Sequence, residues 1–146
     1  MANEKYLPFF VYGTLRHGFN NYAWALSGKV RQIRKASTIG TMYSLGGFPA
    51  LVNKGENDIV GELMLVEPEH YDKVLESLDM LEGYHKYDED PKETSMYLRK
   101  EADVLDDLSG ETVKAWVYYW NRPTDRLPVI KTGDWALQEV EGRHSL

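Results

Sequence analysis

The 146-residue sequence contains no cysteine, which excludes disulfide bonds, thiolate nucleophiles and cysteine-ligated zinc. It also lacks any run of about 18 apolar residues, so it predicts no membrane-spanning helix and no membrane partner. The opening Met-Ala-Asn-Glu-Lys does not have the basic-then-apolar order of a signal peptide. Together these absences lead us to expect a cytoplasmic protein.

Positive charge is scarce as well. The net charge is −6 at pH 7, and the densest basic segment, residues 31–35, carries only Arg31, Arg34 and Lys35. Nucleic acid is therefore not an expected partner. Glycine-rich phosphate-binding motifs are absent, and no two histidines have metal-ligand spacing on one helix, so we expect neither cofactor nor metal.

The remaining composition is typical of a globular chain. Hydrophobic residues make up 42% of the sequence, and its length suits one domain over residues 1–146. Runs rich in apolar, β-branched and aromatic residues predict strands at Pro8–Tyr12, Ala36–Leu45, Ala50–Asn53, Ile59–Val66, Met96–Leu105 and Thr112–Trp120. With one long helix, these strands indicate an α+β fold built on a small, partly closed barrel of about six strands.

The predicted connections are less regular. A short helix is expected at Tyr22–Leu26, with Asn21 as its N-cap. Tyr87–Ser95 is expected to be an acidic loop, and Asp106–Glu111 a hairpin connection.

The first predicted strand stops abruptly at Tyr12-Gly13-Thr14-Leu15. Glycine tolerates backbone angles that other residues resist, and its lack of a side chain leaves the backbone accessible to a ligand. The junction is therefore compatible with a loop that offers main-chain N–H groups, and equally with an ordinary turn.

Glu82 ends the best helical pattern in the sequence, from Pro68 to Leu81 or Glu82. Pro68 suits a first helical turn, and Gly83 suits a left-handed stop. The apolar face consists of Tyr71, Val74, Leu75, Leu78 and Leu81. A helical projection places Glu82 within this face, about 45° from its centre. Either this carboxylate points toward the core, which is unusual for glutamate, or the helix frays and Glu82 turns to water.

The segment Tyr12-Gly13-Thr14-Leu15-Arg16-His17-Gly18, with Leu81-Glu82 further along, resembles the gamma-glutamylcyclotransferase-like family. The resemblance is nearest to the gamma-glutamylamine cyclotransferases. Tyr43–Val52, Val60–Leu63 and Tyr97-x-Arg99 resemble strands of the same family in the same order. The match covers residues 7–121, and Ile130–Trp135 resembles a tail element of some bacterial members.

This resemblance implies a small mixed-strand barrel with a pocket at one end. It also implies a metal-free intramolecular aminolysis, in which the α-amine of a γ-glutamyl group attacks its own γ-carbonyl. The products are 5-oxoproline and a free amine or amino acid. Glu82 would be the catalytic acid and base, and Tyr12, Gly13, Thr14 and Leu15 would bind substrate. The partner would be a small γ-glutamyl compound; the leaving group and oligomeric state stay open.

Several alternatives remain at this point. The barrel could be a non-catalytic binding protein, since a fold does not determine a function. It could instead be a carboxylate-dependent amide hydrolase, for which Glu62 is the best second acid. Arg16 is either a partner for a substrate carboxylate or, as we favour, an exposed loop arginine. The alternating Trp116, Tyr118 and Trp120 form either a half-buried strand face or a pocket wall.

Overall fold

The computed structural model describes residues 6–137. Along the chain the elements are β1 (Phe9–Val11), α1 (Asn20–Ala25), β2 (Val30–Ser44), β3 (Pro49–Val66), α2 (Pro68–Leu81), α3 (Pro91–Thr94), β4 (Tyr97–Asp106) and β5 (Thr112–Trp120). Within this part of the chain no helix has the length and apolarity needed to cross a bilayer.

The strands form a closed barrel in the order β1-β3-β2-β4-β5. β1 is antiparallel to β3 and parallel to β5, and the other neighbouring pairs are antiparallel. The predicted α+β class and mixed barrel are therefore confirmed. The barrel is fully closed, however, and has five strands instead of about six.

The difference in strand number arises in β3. The predicted strands Ala50–Asn53 and Ile59–Val66 are two parts of one 18-residue strand. Between them the ladder is irregular: Gly40 of β2 faces Asn57, while the next residue, Thr41, faces Val52. The intervening polar residues are exposed, and Gly55 has a φ of +92° there. No strand was predicted across these residues, but the long pairing with β2 carries the strand through them.

Other boundaries also differ from the predictions. β2 starts at Val30, because the polar segment before Ala36 pairs with the end of β3. α1 begins at Asn20 and is preceded by Phe19, so Asn21 is not its N-cap. Instead the Asn21 side chain donates a 2.6 Å hydrogen bond to the Thr14 hydroxyl. The predicted acidic loop at residues 87–95 contains the single-turn helix α3.

Two apolar clusters hold the fold together, one inside the barrel and one between the barrel wall and α2. The inner cluster includes Phe10, Met42, Leu51, Ile59, Leu63, Val104 and Val117. The outer cluster includes Phe9, Val11, Met64, Tyr71, Val74, Leu78 and Tyr118. Successive residues of a strand face opposite sides, so the short β1 is buried on both faces and contributes to both clusters. This double burial explains the unbroken apolar run before Tyr12.

The segment after β5 is an integral part of the domain. Ile130 and Trp135 are buried in the inner cluster. The Ile130 N–H donates to the Met42 carbonyl at 2.8 Å, and the Val60 N–H donates to the Gly133 carbonyl at 2.8 Å. This tail therefore packs on the paired strands β2 and β3.

Arg16 is held by the same tail. Its guanidinium forms a 2.8 Å ion pair with Asp134, and the residue is 9% exposed. The expectation of an exposed loop arginine is therefore wrong. Its partner lies 118 positions away along the chain, so local sequence patterns could not indicate it.

Candidate active site

A cavity of about 310 Å³ opens where the chain leaves β1. Its walls come from the end of β1 and the following loop, the β2–β3 connection, the end of α2, the start of β4 and the end of β5. The lining residues are Phe10, Val11, Tyr12, Gly13, Thr14, Leu15, Asn21, Gly47, Phe48, Pro49, Leu81, Glu82, Met96, Tyr97 and Tyr118. All five site residues predicted from the sequence are in this set.

The loop after β1 presents unused hydrogen-bond donors. Its turn is closed by the Arg16 N–H, which donates to the Gly13 carbonyl at 3.0 Å. Among the hydrogen bonds of residues 6–137, none is donated by the backbone N–H of Gly13, Thr14 or Leu15. Buried backbone N–H groups are nearly always paired. Three successive unpaired donors at a cavity wall can therefore receive a carbonyl or carboxylate oxygen.

Gly13 is required by close packing. Its backbone is not in the positive-φ region, so the conformational reason suggested by the sequence does not apply. A Cβ at this position would lie 2.7 Å from Cγ and 2.9 Å from Cδ of Pro49. Pro49 begins β3, and its carbonyl accepts a 2.8 Å hydrogen bond from the Tyr97 hydroxyl. The absent side chain thus lets the loop lie directly against the cavity wall.

α2 ends at Leu81, one of the two predicted ends, and Glu82 follows it immediately. The Gly83 N–H donates to the Met80 carbonyl at 3.1 Å, and the Tyr84 N–H donates to the Asp79 carbonyl at 2.8 Å. With Gly83 at a φ of +66°, these bonds form a Schellman motif that ends the helix. The sequence signal at Gly83 therefore fixed the point at which Glu82 leaves the helix.

The Glu82 carboxyl has an unusual environment. It lines the cavity and is only partly exposed, and burial raises its pKa from an ordinary value of 4.5 to about 7. Within residues 6–137 no hydrogen bond or ion pair engages this carboxyl. A carboxyl with a pKa near neutrality can both accept and donate a proton near pH 7.

Two tyrosine hydroxyls form hydrogen bonds within the walls around Glu82. Tyr12 donates to the Tyr118 carbonyl at 2.6 Å, and Tyr97 donates to the Pro49 carbonyl. Burial raises the pKa of both phenols, and the negative charge of Glu82 raises each further. Both tyrosines therefore remain neutral, with their hydroxyls committed to the backbone.

Asp79 is a central residue that is absent from the sequence-based predictions. It is 4% exposed, and its carboxylate accepts hydrogen bonds from Arg99 Nε at 2.8 Å and from the Tyr118 hydroxyl at 2.6 Å. Lys86 Nζ forms a further ion pair with it at 2.9 Å. The carboxylate therefore joins α2, β4, β5 and the segment after α2 beside the cavity.

A signal for Asp79 was present in the helical spacing. Asp79 follows the apolar-face residue Leu75 by four positions and precedes Glu82 by three, so it belongs to the same side of the helix. Leu81, which the spacing assigned to the apolar face, is 36% exposed at the cavity. The buried face of α2 is thus centred nearer to Asp79 than the apolar spacing predicted. This is because the partners of Asp79 lie on the barrel.

Glu62 does not contribute to the cavity. Its carboxylate accepts a 2.8 Å hydrogen bond from the His17 N–H, and it is absent from the lining residues. The expected second acid of a hydrolase is therefore not at this site. Among residues 6–137, no three histidine, aspartate or glutamate side chains converge in a group that could hold a metal ion.

Comparison with known proteins assigns the chain to a class. The model of the gamma-glutamyl cyclotransferase, AIG2-like family matches residues 9–137, and the chain belongs to this family. A protein from Niallia circulans named gamma-L-glutamyl-butirosin B gamma-glutamyl cyclotransferase is 35% identical over 139 residues, covering 91% of this chain and 80% of that protein. The family and this relative support a general cyclotransferase class.

Solved structures agree on the fold. An AIG2-like protein from Mus musculus superposes with a TM-score of 0.67 at 24% identity, covering 96% of this chain and 92% of that one. The Escherichia coli protein YtfP superposes with a TM-score of 0.59 at 27% identity, covering 91% and 99%. The barrel described above is thus the fold of this family.

We expect Asp79→Asn to destabilise the protein by about 3 kcal/mol, because Arg99 and Lys86 lose the charge that compensates them. Urea unfolding at pH 7 measures the loss. The matched control is Asp103→Asn, whose ion pair with Lys114 is exposed and should contribute little to stability. Equal losses in the two variants would contradict a central role for Asp79.

The raised pKa of Glu82 has a consequence for stability. Because the folded-state value of about 7 lies above the ordinary 4.5, folding favours the protonated carboxyl. Its contribution is therefore complete below the lower value and is lost as the pH rises through the higher one. Relative to Glu82→Gln, the wild type should lose about 3 kcal/mol of unfolding free energy across this window.

Urea unfolding at a series of pH values measures this difference. Glu76→Gln, at an exposed position of the same helix, corrects for the general effect of removing one carboxylate. A constant difference between the wild type and Glu82→Gln across the window would show that the carboxyl is not protonated by the fold.

Proposed function

We propose that this protein is a γ-glutamyl cyclotransferase that releases 5-oxoproline from a small γ-glutamyl compound. The observation that carries the proposal is one juxtaposition. A carboxyl with a pKa raised to about 7 lines the same cavity as three unpaired backbone donors. Intramolecular acyl transfer needs both a proton carrier and a site that receives negative charge on oxygen.

Glu82 supplies the proton transfers in this scheme. As a carboxylate it takes a proton from the α-ammonium of the γ-glutamyl group, which frees the amine to attack the γ-carbonyl carbon. A new C–N bond closes the five-membered lactam while the original amide C–N bond breaks. The protonated Glu82 returns this proton to the departing nitrogen, and the second proton that the lactam nitrogen loses follows the same route, so the amine leaves protonated. Water is not consumed, and the reaction needs no redox partner.

The N–H groups of Gly13, Thr14 and Leu15 supply the complementary part. They can bind the γ-carbonyl oxygen as charge develops on it, or the α-carboxylate of the glutamyl group. Donors that are fixed before substrate arrives stabilise such charge without reorganisation. Holding amine and carbonyl together in a small cavity also favours cyclisation, because both reacting groups belong to one molecule.

The alternatives fare differently. Hydrolysis by paired carboxylates lacks support, since Glu82 is the one carboxyl residue among the described residues that line the cavity. A non-catalytic binding protein would use the same donors but would not require a carboxyl that titrates near neutrality. The relative from Niallia circulans is named for cyclotransfer on a γ-glutamyl compound, which favours turnover.

Replacing Glu82 tests the proposed reaction directly. Glu82→Gln keeps the size of the side chain but cannot carry a proton, so release of 5-oxoproline should fall on the order of 10²-fold or more. Glu76→Gln should retain full activity. Assays of both folded variants on a panel of γ-glutamyl compounds, scored by chromatography of 5-oxoproline, provide the measurement. A fully active Glu82→Gln protein would eliminate this mechanism.

The loop that carries the Gly13, Thr14 and Leu15 N–H groups, called the donor loop, is tested by Gly13→Ala. The new Cβ would press on the Pro49 ring and displace the loop, so 5-oxoproline should bind about 10-fold more weakly, a loss of about 1.4 kcal/mol. Gly47→Ala is the matched control: Gly47 lines the same cavity, has an ordinary φ, and its added Cβ would meet nothing within 4 Å. Calorimetric titration measures binding, and thermal unfolding checks integrity. Equal affinities in the two variants would argue against the loop as the anchor.

A further inference from the structure

The outer part of the cavity is apolar. Phe48, Met96 and Leu81 line it and are 42%, 43% and 36% exposed. They come from three separate places in the fold: the β2–β3 connection, the residue before β4 and the last residue of α2. Large apolar side chains that remain exposed around one cavity mark a surface that is covered when a ligand binds.

The loop after β1 adds polar groups to one side of the cavity. Gly13 and Leu15, two of the residues whose N–H groups lack partners, are buried. Thr14 and Asn21 add a hydroxyl and an amide beside them. The cavity therefore offers polar groups along the loop after β1, while its rim of Phe48, Met96 and Leu81 is apolar and exposed.

Charge is nearly absent from this cavity. Among the described residues that line it there is no lysine, arginine or aspartate, and Glu82 is the one carboxyl residue. The nearby cations Arg99 and Lys86 are engaged by Asp79. A carboxylate entering the outer cavity would lose water, would gain no positive charge and would approach Glu82, which is costly. An ammonium would also lose water, and in the proposed reaction Glu82 is already engaged by the α-ammonium of the glutamyl half.

These features assign the two halves of a γ-glutamyl substrate to different parts of the cavity. The γ-glutamyl half carries the ammonium, carboxylate and carbonyl, and so requires Glu82 and the N–H groups of the loop after β1. The amine that leaves must then occupy the space among Phe48, Met96 and Leu81.

Building on the proposed function, we propose that this site selects γ-glutamyl amides of uncharged, apolar primary amines. The amide C–N bond to that amine breaks as the lactam C–N bond forms. The α-ammonium gives up two protons and the departing nitrogen gains two, so the amine leaves as an alkylammonium ion. The charge of this ion then favours its departure into water from the apolar rim formed by Phe48, Met96 and Leu81.

Three substrates with the same carbon chain test the proposal: the γ-glutamyl amides of n-pentylamine, 1,5-diaminopentane and 5-aminopentanoic acid. The end of the chain is a methyl group, an ammonium or a carboxylate. We expect kcat/KM for the n-pentyl amide to exceed both others by about 10-fold or more, since specificity is a ratio of these constants. Comparable values, or a preference for either charged chain, would overturn the proposal.

A pair of variants ties the preference to the rim. Met96→Gln keeps the length of the side chain but makes it polar, and should lower the ratio of n-pentyl to 5-aminopentyl kcat/KM by about 5-fold. Leu108→Gln makes the same kind of change at a 72% exposed position in the β4–β5 turn and should leave the ratio unchanged. Equal ratios in both variants would overturn the role of the rim.

The series also separates this proposal from the more general one. Release of 5-oxoproline from any of the three amides establishes cyclotransfer, and the ratios then decide the selectivity. A protein that releases 5-oxoproline only from the charged amides keeps the proposed function and loses this inference. A protein that acts on none of them overturns this inference, and the wider panel of γ-glutamyl compounds then decides the proposed function.

Discussion

The buried carboxylate of Asp79 is the interaction on which the arrangement of the site depends. It receives hydrogen bonds from Arg99 on β4 and Tyr118 on β5, and Lys86 adds a second positive charge. A buried carboxylate is tolerable only with such compensation. Because Asp79 lies one helical turn before Glu82, the contacts that dock the end of α2 on the barrel also bring Glu82 to the cavity.

The donor loop is constrained by three other parts of the structure. Before it, the short β1 is buried on both faces between β3 and β5. After it, Arg16 is held by Asp134 of the tail, and Pro49 packs against Gly13. The unpaired N–H groups are therefore held in place without a ligand, which is the condition for effective stabilisation of developing charge. Helix, barrel and tail each contribute one constraint to the same small cavity.

Several features could be predicted because their signals are local. The extent of α2 followed from Pro68, Gly83 and the apolar spacing between them, and β1 followed from its apolar run. The junction at Gly13 was located correctly, although the reason is contact with Pro49 and not a positive φ. The continuous β3 was missed, because its polar centre is held as strand by pairing with β2, and composition does not record pairing.

The sequence by itself determined the class of fold, the helix from Pro68 to Leu81 or Glu82, and the candidate residues Glu82 and Tyr12–Leu15. Each of these depends on neighbours within a few positions. Only the tertiary structure decided that Glu82 and the loop line one cavity, that Asp79 carries the contacts beside them, and that Glu62 does not. It also decided the burial of Arg16. These outcomes depend on burial and on partners distant in the chain, such as Arg16 with Asp134, and local patterns carry no information about such distances.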